Sequence, residues 1–352
     1  MSICLGQIEI GRGVKSDLAS ILHGERWEAL VWSMTEKGGC SALSLRGVSK
    51  RYGKLTALDT VDLQVKPGEI FALLGPNGAG KTTAIGCASG LIQDFEGQIE
   101  IGGYDVRKDY RVTRRLVGLV PQELNFDGFF GAREALFFQS GYYGVKPDRA
   151  KIEGMLRKFS LYDKADTNTR RLSGGMKRRL MVCKALMHDP AVLFLDEPTA
   201  GVDVELREDL WKVVRGLRDE GVTIVLTTHY LEEAEQLADR IGIINGGKIL
   251  RVQPREELML ELGKRWVELS FASDVDRSVF AELRADRIEQ LNGRVLRIEY
   301  DPGGAISQEE HAVGAILDRA RACGLVVVDI RAGRSSLEDI FKDLLRDKGG
   351  VV

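Results

Sequence analysis

No run of apolar residues in this chain approaches the ~18 that a membrane-crossing helix needs. The longest runs, such as Ala191 to Leu195, have the length of strands. The start, Met1 to Gly13, lacks a basic segment followed by an apolar one, which argues against a secretion signal. Any membrane role is therefore expected to come through a partner chain. Cysteine is scarce: Cys4, Cys40, Cys87, Cys183 and Cys323 form no CxxC pair and no metal-ligand spacing. They read as reduced thiols of a cytosolic protein. His23, His188, His229 and His311 are too scattered for a zinc site. Strong charge of either sign is missing too. The formal net charge is -2, so nothing suggests a duplex-DNA binder with a basic face, and no nucleic acid is expected as a partner.

What is present is an ordinary globular composition, 44% hydrophobic and 29% charged over 352 residues. That suffices for a sizeable core and for two domains. Residues 1–43 carry no recognisable motif. Met34 begins MTEKGGCSALSLRGVSKRYG, which reads as the natural opening of a domain, so 1–33 is a flexible extension or a mis-called start. A short regulatory appendage is the alternative. From about 44 the pattern becomes dense. Ala42–Val48 and Val61–Val65 alternate as strands do, and Pro67-Gly68 makes a turn. Ile70–Leu74, Ala191–Leu195 and Thr223–Leu226 are near-continuous apolar runs, the mark of strands buried on both faces. Helices are expected from about Thr82, over Gly174–Met187 and near 204–219. The last carries Leu206, Leu210, Val213, Val214 and Leu217 on one face. Strands alternating with helices imply a largely parallel α/β sheet. Near 254 the style changes. Strand-like stretches at Trp266–Phe271, Arg294–Tyr300 and Leu325–Ile330, with helices near 308–322 and 336–346, predict a small α+β domain over 254–352.

The chemistry is concentrated in the first domain, 44–253. Gly75-Pro76-Asn77-Gly78-Ala79-Gly80-Lys81-Thr82 fits G-x-x-x-x-G-K-[ST] in full, between a buried strand and a helix. The glycines let the backbone curl so that N–H groups converge on an anion, and the helix adds its positive end. Lys81 can reach the terminal phosphates of ATP, and the Thr82 hydroxyl can hold Mg²⁺. Val192-Leu193-Phe194-Leu195-Asp196-Glu197 is an apolar strand ending in two carboxylates. Paired acids resist joint ionisation unless a cation stands nearby. Asp196 then orients the metal's water shell, and Glu197 polarises the attacking water. A third feature is Leu172-Ser173-Gly174-Gly175-Met176, where Ser173 suits a helix N-cap and the two glycines leave backbone N–H groups open. One ATP does not need two such cradles in one subunit. The economical arrangement is a head-to-tail dimer in which each cradle serves a different nucleotide.

The phosphate loop, Gln122, LSGGM, LFLDEP, Ala200-Gly201-Val202-Asp203 and Thr227-Thr228-His229 follow one another in an order that resembles the ABC transporter ATPases. PQELNF, SGYYGV, LSGGMKRRLM, DEPTAGVDVELR and TTHYLEEAE are similar to the ABC-2-type exporter ATPases, the YadG-like branch in particular. The closing SSLEDIFKDLL is also similar to the ends of such chains. The resemblance covers about 44 to 250, and the rest more loosely. It implies a P-loop NTPase fold of the ABC type with a helical subdomain at about 123–180. It implies an ATPase on the cytoplasmic face of the membrane, driving export through a separate transmembrane permease subunit. Tyr52 would stack on adenine, and Thr83 would join the phosphate loop's nucleotide contacts. Gln122 would contact Mg²⁺ and the attacking water and sense the membrane partner. Ser173, Gly174 and Gly175 would bind the neighbour's nucleotide, Asp203 would organise the shared site, and His229 would contact the γ-phosphate. Met176 stands where many relatives carry Gln, outside the phosphate-binding positions.

Seven aromatics, Phe126, Phe129, Phe130, Phe137, Phe138, Tyr142 and Tyr143, follow Gln122. In the family this region receives a short helix of the membrane subunit. Asp127-Gly128 and Gly131 read as loop, which makes Phe129 and Phe130 the expected exposed pair, while part of the set forms a local core. Arg107, Lys108, Arg111, Arg114 and Arg115, like Lys177-Arg178-Arg179, read as solvated helix faces, with lipid headgroups as the alternative. Three rival functions are open to such a cassette. A DNA-acting ABC machine would need insertions for which Lys81 to Asp196 has no room. A translation-type protein would carry two sets of motifs. A nucleotide-gated regulator stays open, given the extra C-terminal domain, which either assists dimer contacts and regulation or is a passive cap.

Overall fold

The computed structural model describes residues 41–123, 127–200, 204–261, 265–283, 285, 287–300 and 312–334. The chain divides into two compact units between Val252 and Gln253. Among the described residues no helix is long and apolar enough to cross a membrane.

The first unit is built on two sheets. Strands β1 (Leu43–Tyr52), β2 (Leu55–Val65), β4 (Glu96–Ile101) and β5 (Tyr104–Asp105) form an antiparallel sheet in the order β2-β1-β4-β5. The second sheet runs β10-β9-β3-β8-β7-β6. Its strands are β3 (Ile70–Leu74), β6 (Val117–Val120), β7 (Val192–Asp196), β8 (Thr223–Thr228), β9 (Arg240–Asn245) and β10 (Lys248–Pro254). β9, β3, β8, β7 and β6 pair in parallel. Every residue of β3, β7 and β8 is buried, which is why these strands read as unbroken apolar runs rather than alternations. The core between the sheets takes Phe71, Leu73, Phe194, Val225 and Ile244, with Ala84 and Ile85 from helix α1 (Lys81–Ala88).

Helices α2 (Tyr110–Leu116), α3 (Ala132–Tyr142), α4 (Arg149–Lys158) and α5 (Gly174–Leu186) follow. Buried positions recur at helical spacing within them, Ala132, Leu136 and Ser140 on α3 and Ile152 and Leu156 on α4. Asp148 caps α4 by accepting from Ala150 N at 2.8 Å, and Ser173 Oγ caps α5 by accepting from Met176 N at 3.3 Å. Helices α6 (Val204–Asp219) and α7 (Leu231–Leu237) flank β8. Registry does the rest. Leu74 pairs with Thr228 and Asp196 with Thr227, so the phosphate loop, the acid pair and the histidine leave the sheet at one level. Ligands of open parallel sheets bind at that carboxyl edge.

The second unit, after helix α8 (Arg255–Glu261), is an antiparallel sheet in the order β12-β13-β11-β14. Its strands are β11 (Arg265–Phe271), β12 (Arg287–Asn292), β13 (Val295–Tyr300) and β14 (Val327–Arg334), with helix α9 (Ala312–Ala322). Val267, Leu269, Leu296 and Ile298 pack with Ile316 and Ala320 as its own core. The expected helix near 336–346 and the N-terminal stretch 1–40 lie outside the described residues.

Candidate active site

The loop from Gly75 to Gly80 closes tightly because two of its glycines are unavoidable. A Cβ on Gly75 would collide with the Ile244 carbonyl oxygen. On Gly80, whose φ is 107°, it would stand 2.5 Å from the Ala57 carbonyl oxygen. Gly78 is also left-handed, at φ 79°. Pro76 accepts from Ala79 N at 3.2 Å, and Ala79 O accepts from Gly247 N at 3.0 Å. Asn77, Gly78 and Thr82 are exposed, Pro76 and Thr83 half-buried. The first N–H groups of α1 have no intrahelical acceptor and point toward the loop's concavity.

Lys81 is buried, with Nζ donating to Gly75 O at 2.8 Å and Pro76 O at 3.1 Å and standing 3.2 Å from Glu197 Oε1. The other oxygen of Glu197 accepts from Gln122 Nε2 at 3.1 Å and lies 3.2 Å from His229 Nδ1. The carboxylate of Glu197, 6% exposed, is thus surrounded by an ammonium, an amide and an imidazole. Its backbone is left-handed at φ 45°, an unfavourable conformation for a side chain with a Cβ. It is held by Glu197 N, which lies 3.1 Å from both the carbonyl and the hydroxyl of Thr227. Such strain is kept where the surroundings over-determine it, and here it turns the carboxylate off the end of β7 toward Lys81.

Asp196 Oδ1 accepts from Thr82 Oγ1 at 3.2 Å and from Thr227 Oγ1. A hydroxyl and a buried carboxylate are oxygen donors of the kind that suits Mg²⁺. Among the described residues no group of three or more His, Cys, Asp and Glu could hold a metal. Tyr52, at the end of β1, is 48% exposed, with Lys50 Nζ 4.9 Å from its ring centre. Asp203 lies outside the described residues.

Ser173 and Gly174 are exposed at the start of α5, and Gly175 is buried. Nothing lies within 4 Å of a Cβ placed on Gly174. They stand apart from the cluster around Glu197: no hydrogen bond or ion pair joins them to it among the described residues.

Two residues of the site escape sequence reasoning. Arg178, expected on a solvated face, is 4% exposed and donates to Pro121 O at 2.8 Å and Gln122 O at 3.0 Å. Thr227 grips Asp196, at the end of β7, and Glu197, which follows it. The aromatic pair also divides. Phe129 is 81% exposed, whereas Phe130 is half-buried with its ring 4.6 Å from that of Phe138; Phe126 lies outside the described residues. The basic run likewise splits. Arg107 donates to Phe95 O and Gly97 O. Arg111, Arg114 and Arg115 line a groove of about 820 Å³ with Leu91, Tyr110 and Tyr142. No carboxylate pairs with these three arginines among the described residues. The groove lies away from the phosphate loop.

The profile of the ABC transporter family matches residues 58–200. The daunorubicin resistance ATP-binding protein DrrA3 of Streptomyces coeruleorubidus is 33% identical over 327 residues, 87% of this chain and 96% of that one. The Nod factor export ATP-binding protein I of Ralstonia nicotianae is 36% identical over 312 residues, 86% of this chain and 97% of that one. Among solved structures, the dimeric post-hydrolysis state of the ATP-binding cassette MJ0796 bound to ADP and Pi superposes with a TM-score of 0.56. It is 26% identical and covers 60% of this chain and 98% of that one.

Proposed function

We propose, from the premise that this chain belongs to the ABC transporter family of ATP-binding proteins, a division of labour among its residues in ATP hydrolysis. The chain is the ATP-binding subunit of an exporter-type transporter, and it is an ATPase. The observation that carries the assignment is the convergence of Lys81, Gln122 and His229 on the Glu197 carboxylate, each within 3.2 Å.

Lys81 is the phosphate ligand of the loop Gly75–Thr82, with the backbone N–H groups around it and Thr83 behind. Its charge is met by two carbonyls and by Glu197. A γ-phosphate is the stronger partner for an ammonium. As Lys81 turns to it, Glu197 loses its cation and becomes free to accept from a water molecule. The base is therefore blocked until substrate arrives. Glu197 then orients the water for in-line attack and takes up its proton. Gln122 holds one carboxylate oxygen and the water, and His229, leaving Glu197, donates to the γ-phosphate. Thr82, Asp196 and the amide oxygen of Gln122 would hold Mg²⁺. The metal, when bound, neutralises charge on the β- and γ-phosphates. Tyr52, exposed beside the loop's sheet, stacks on adenine, and Asp203 completes the shared site.

Ser173 and Gly174 serve the nucleotide of a second copy of the chain in a head-to-tail pair. Their exposure and the open space before Gly174 support this, since no internal contact requires glycine there. The membrane permease subunit docks in the groove of Arg111, Arg114, Arg115, Tyr110, Leu91 and Tyr142. Three guanidinium groups with no carboxylate partner among the described residues, beside exposed apolar surface, fit a short amphipathic segment bearing carboxylates. The chain then lies on the cytoplasmic face of the membrane, held there by that subunit.

The test is Glu197→Gln. Its kcat is expected to fall by roughly 10³-fold, with ATP-loaded dimers accumulating in size-exclusion chromatography. Parental turnover in this variant overturns the assignment.

A further inference from the structure

Four buried polar atoms outside the scheme above lie about the Glu233 carboxyl. Both carboxylate oxygens of Glu233, the Thr199 hydroxyl and the Trp211 indole N–H are buried, and none has a partner in full hydrogen-bond geometry among the described residues. Glu233, on α7, is 0% exposed. The groups that face its carboxyl are Thr228, Thr199, Trp211 and Arg207. Thr199 follows Glu197 by two residues, Thr228 immediately precedes His229, and Arg207 and Trp211 lie on α6. The Thr228 hydroxyl is engaged elsewhere, accepting from Tyr230 N at 2.9 Å. The Arg207 guanidinium is drawn to Glu232, 3.5 Å away, and over the Tyr230 ring. No ion pair forms with Glu233, and burial pushes its carboxyl above the usual carboxylate range.

An unsatisfied buried carboxyl is costly, and an apolar side chain at that place would spare the cost. Retaining it makes sense if its bonds are completed in another state of the site. The three elements it faces carry Glu197, His229 and the start of α6. The facing groups already act on the Glu233 carboxyl, so a movement that brings them into bonding geometry would complete its bonds. Made together, they would leave the two reacting side chains no independent freedom.

We infer that Glu233 is a positioning residue for ATP hydrolysis. When the site closes on nucleotide, its carboxyl accepts from the Thr199 hydroxyl and the Trp211 N–H and engages Thr228. That fixes the loop carrying Glu197 against the strand end carrying His229. The inference rests on the roles given above to Glu197 and His229. Failure of those roles reads out separately, in the turnover of Glu197→Gln.

The test compares Glu233→Met, which keeps volume without polarity, with Glu233→Gln, which keeps hydrogen bonding. Both are made in the full chain. Glu233→Met is expected to lower kcat about tenfold, as misplacement of reacting groups does, while the Kd for the fluorescent nucleotide TNP-ATP stays within roughly twofold. Glu233→Gln is expected to recover kcat to within roughly threefold of the parent. Parental kcat in Glu233→Met, or equal losses in both variants, overturns the inference. If Glu233→Met does not fold, Thr199→Val removes the facing hydroxyl at constant shape. It is expected to show the same loss of kcat at constant TNP-ATP affinity, and parental kcat there overturns the inference as well.

Discussion

Two glycine-rich helix starts stand in the first unit, and they differ in what requires the glycine. At the start of α1, Gly75 and Gly80 are demanded by the chain's own fold: a Cβ would meet the carbonyl oxygens of Ile244 and Ala57, and φ at Gly80 is 107°. At the start of α5, a Cβ on Gly174 would meet nothing. The first cradle is closed and satisfied from within, its lysine already paired. The second faces outward, capped by Ser173 Oγ at 3.3 Å from Met176 N and otherwise open. At Gly174 no internal neighbour requires a glycine, which leaves room for the proposed contact with a second copy.

The comparison breaks most visibly at Gly80. Gly80→Ala is expected to destabilise the fold by about 2–4 kcal/mol, from a strained φ and a backbone collision, read as a lower midpoint in urea. Gly174→Ala is expected to leave the urea midpoint of the isolated chain unchanged, yet to lower ATPase activity roughly 10- to 100-fold by standing between Ser173 and the neighbour's phosphate. Equal stability losses at the two glycines would erase the distinction.

A smaller effect sharpens the contrast between satisfied and open polar groups. His188 is buried and stacked on Tyr143 with ring centres 3.6 Å apart. Its Nε2 lies 2.8 Å from Val117 O, and its Nδ1 has no partner. Burial lowers its pKa from 6.5 to about 4. The unfolded chain therefore binds a proton that the native chain refuses between those values. His188 should cost stability as pH falls from 6.5 toward 4, and nothing further below 4. The ceiling of that loss is about 3 kcal/mol. His188→Gln is expected to flatten this part of the stability–pH curve in urea titrations, and an unchanged slope would count against a neutral buried imidazole. The smallest effect is expected at Ser173→Ala. Loss of the N-cap should cost the isolated chain about 1 kcal/mol, against an ATPase loss of about tenfold from the missing phosphate ligand. Stability falling without loss of turnover would make Ser173 a cap alone.

Much of this site is legible in sequence because its parts are local. β3, β7 and β8 are short, fully buried strands, and each ends in the residues that do chemistry, so apolar run and motif coincide at Leu74–Gly75, Leu195–Asp196 and Thr228–His229. What sequence reasoning misses is held by distant partners. Arg178 looks like one member of a surface basic run, and only the fold brings to it the carbonyls of Pro121 and Gln122, more than fifty positions earlier. Phe130 sits in a stretch that reads as loop, yet Phe138, eight residues on, half-covers it. Glu233 looks like one of several acids in LEEAE, and its depth depends on α6 packing beside α7. The strands β4, β5, β6, β9, β10 and β12 also escape, because they are short or mix polar and glycine residues with apolar ones. β14 starts two residues later than the pattern suggests, at Val327, with a register irregularity beside Phe271.

Arg178 has one more consequence. Helix α5 begins beside Ser173 and, five residues on, clasps the backbone of Pro121 and Gln122. A helix of this kind is stiff along its axis, rising about 1.5 Å per residue with every turn bonded to the next. In the proposed pair, a displacement of its outer tip would pass through Arg178 to the backbone of Pro121 and Gln122. In the proposed pair, each copy would be informed of its neighbour's nucleotide by a single rod. Filling one pocket would then prepare the other, and the two would tend to fire in concert as ATP rises.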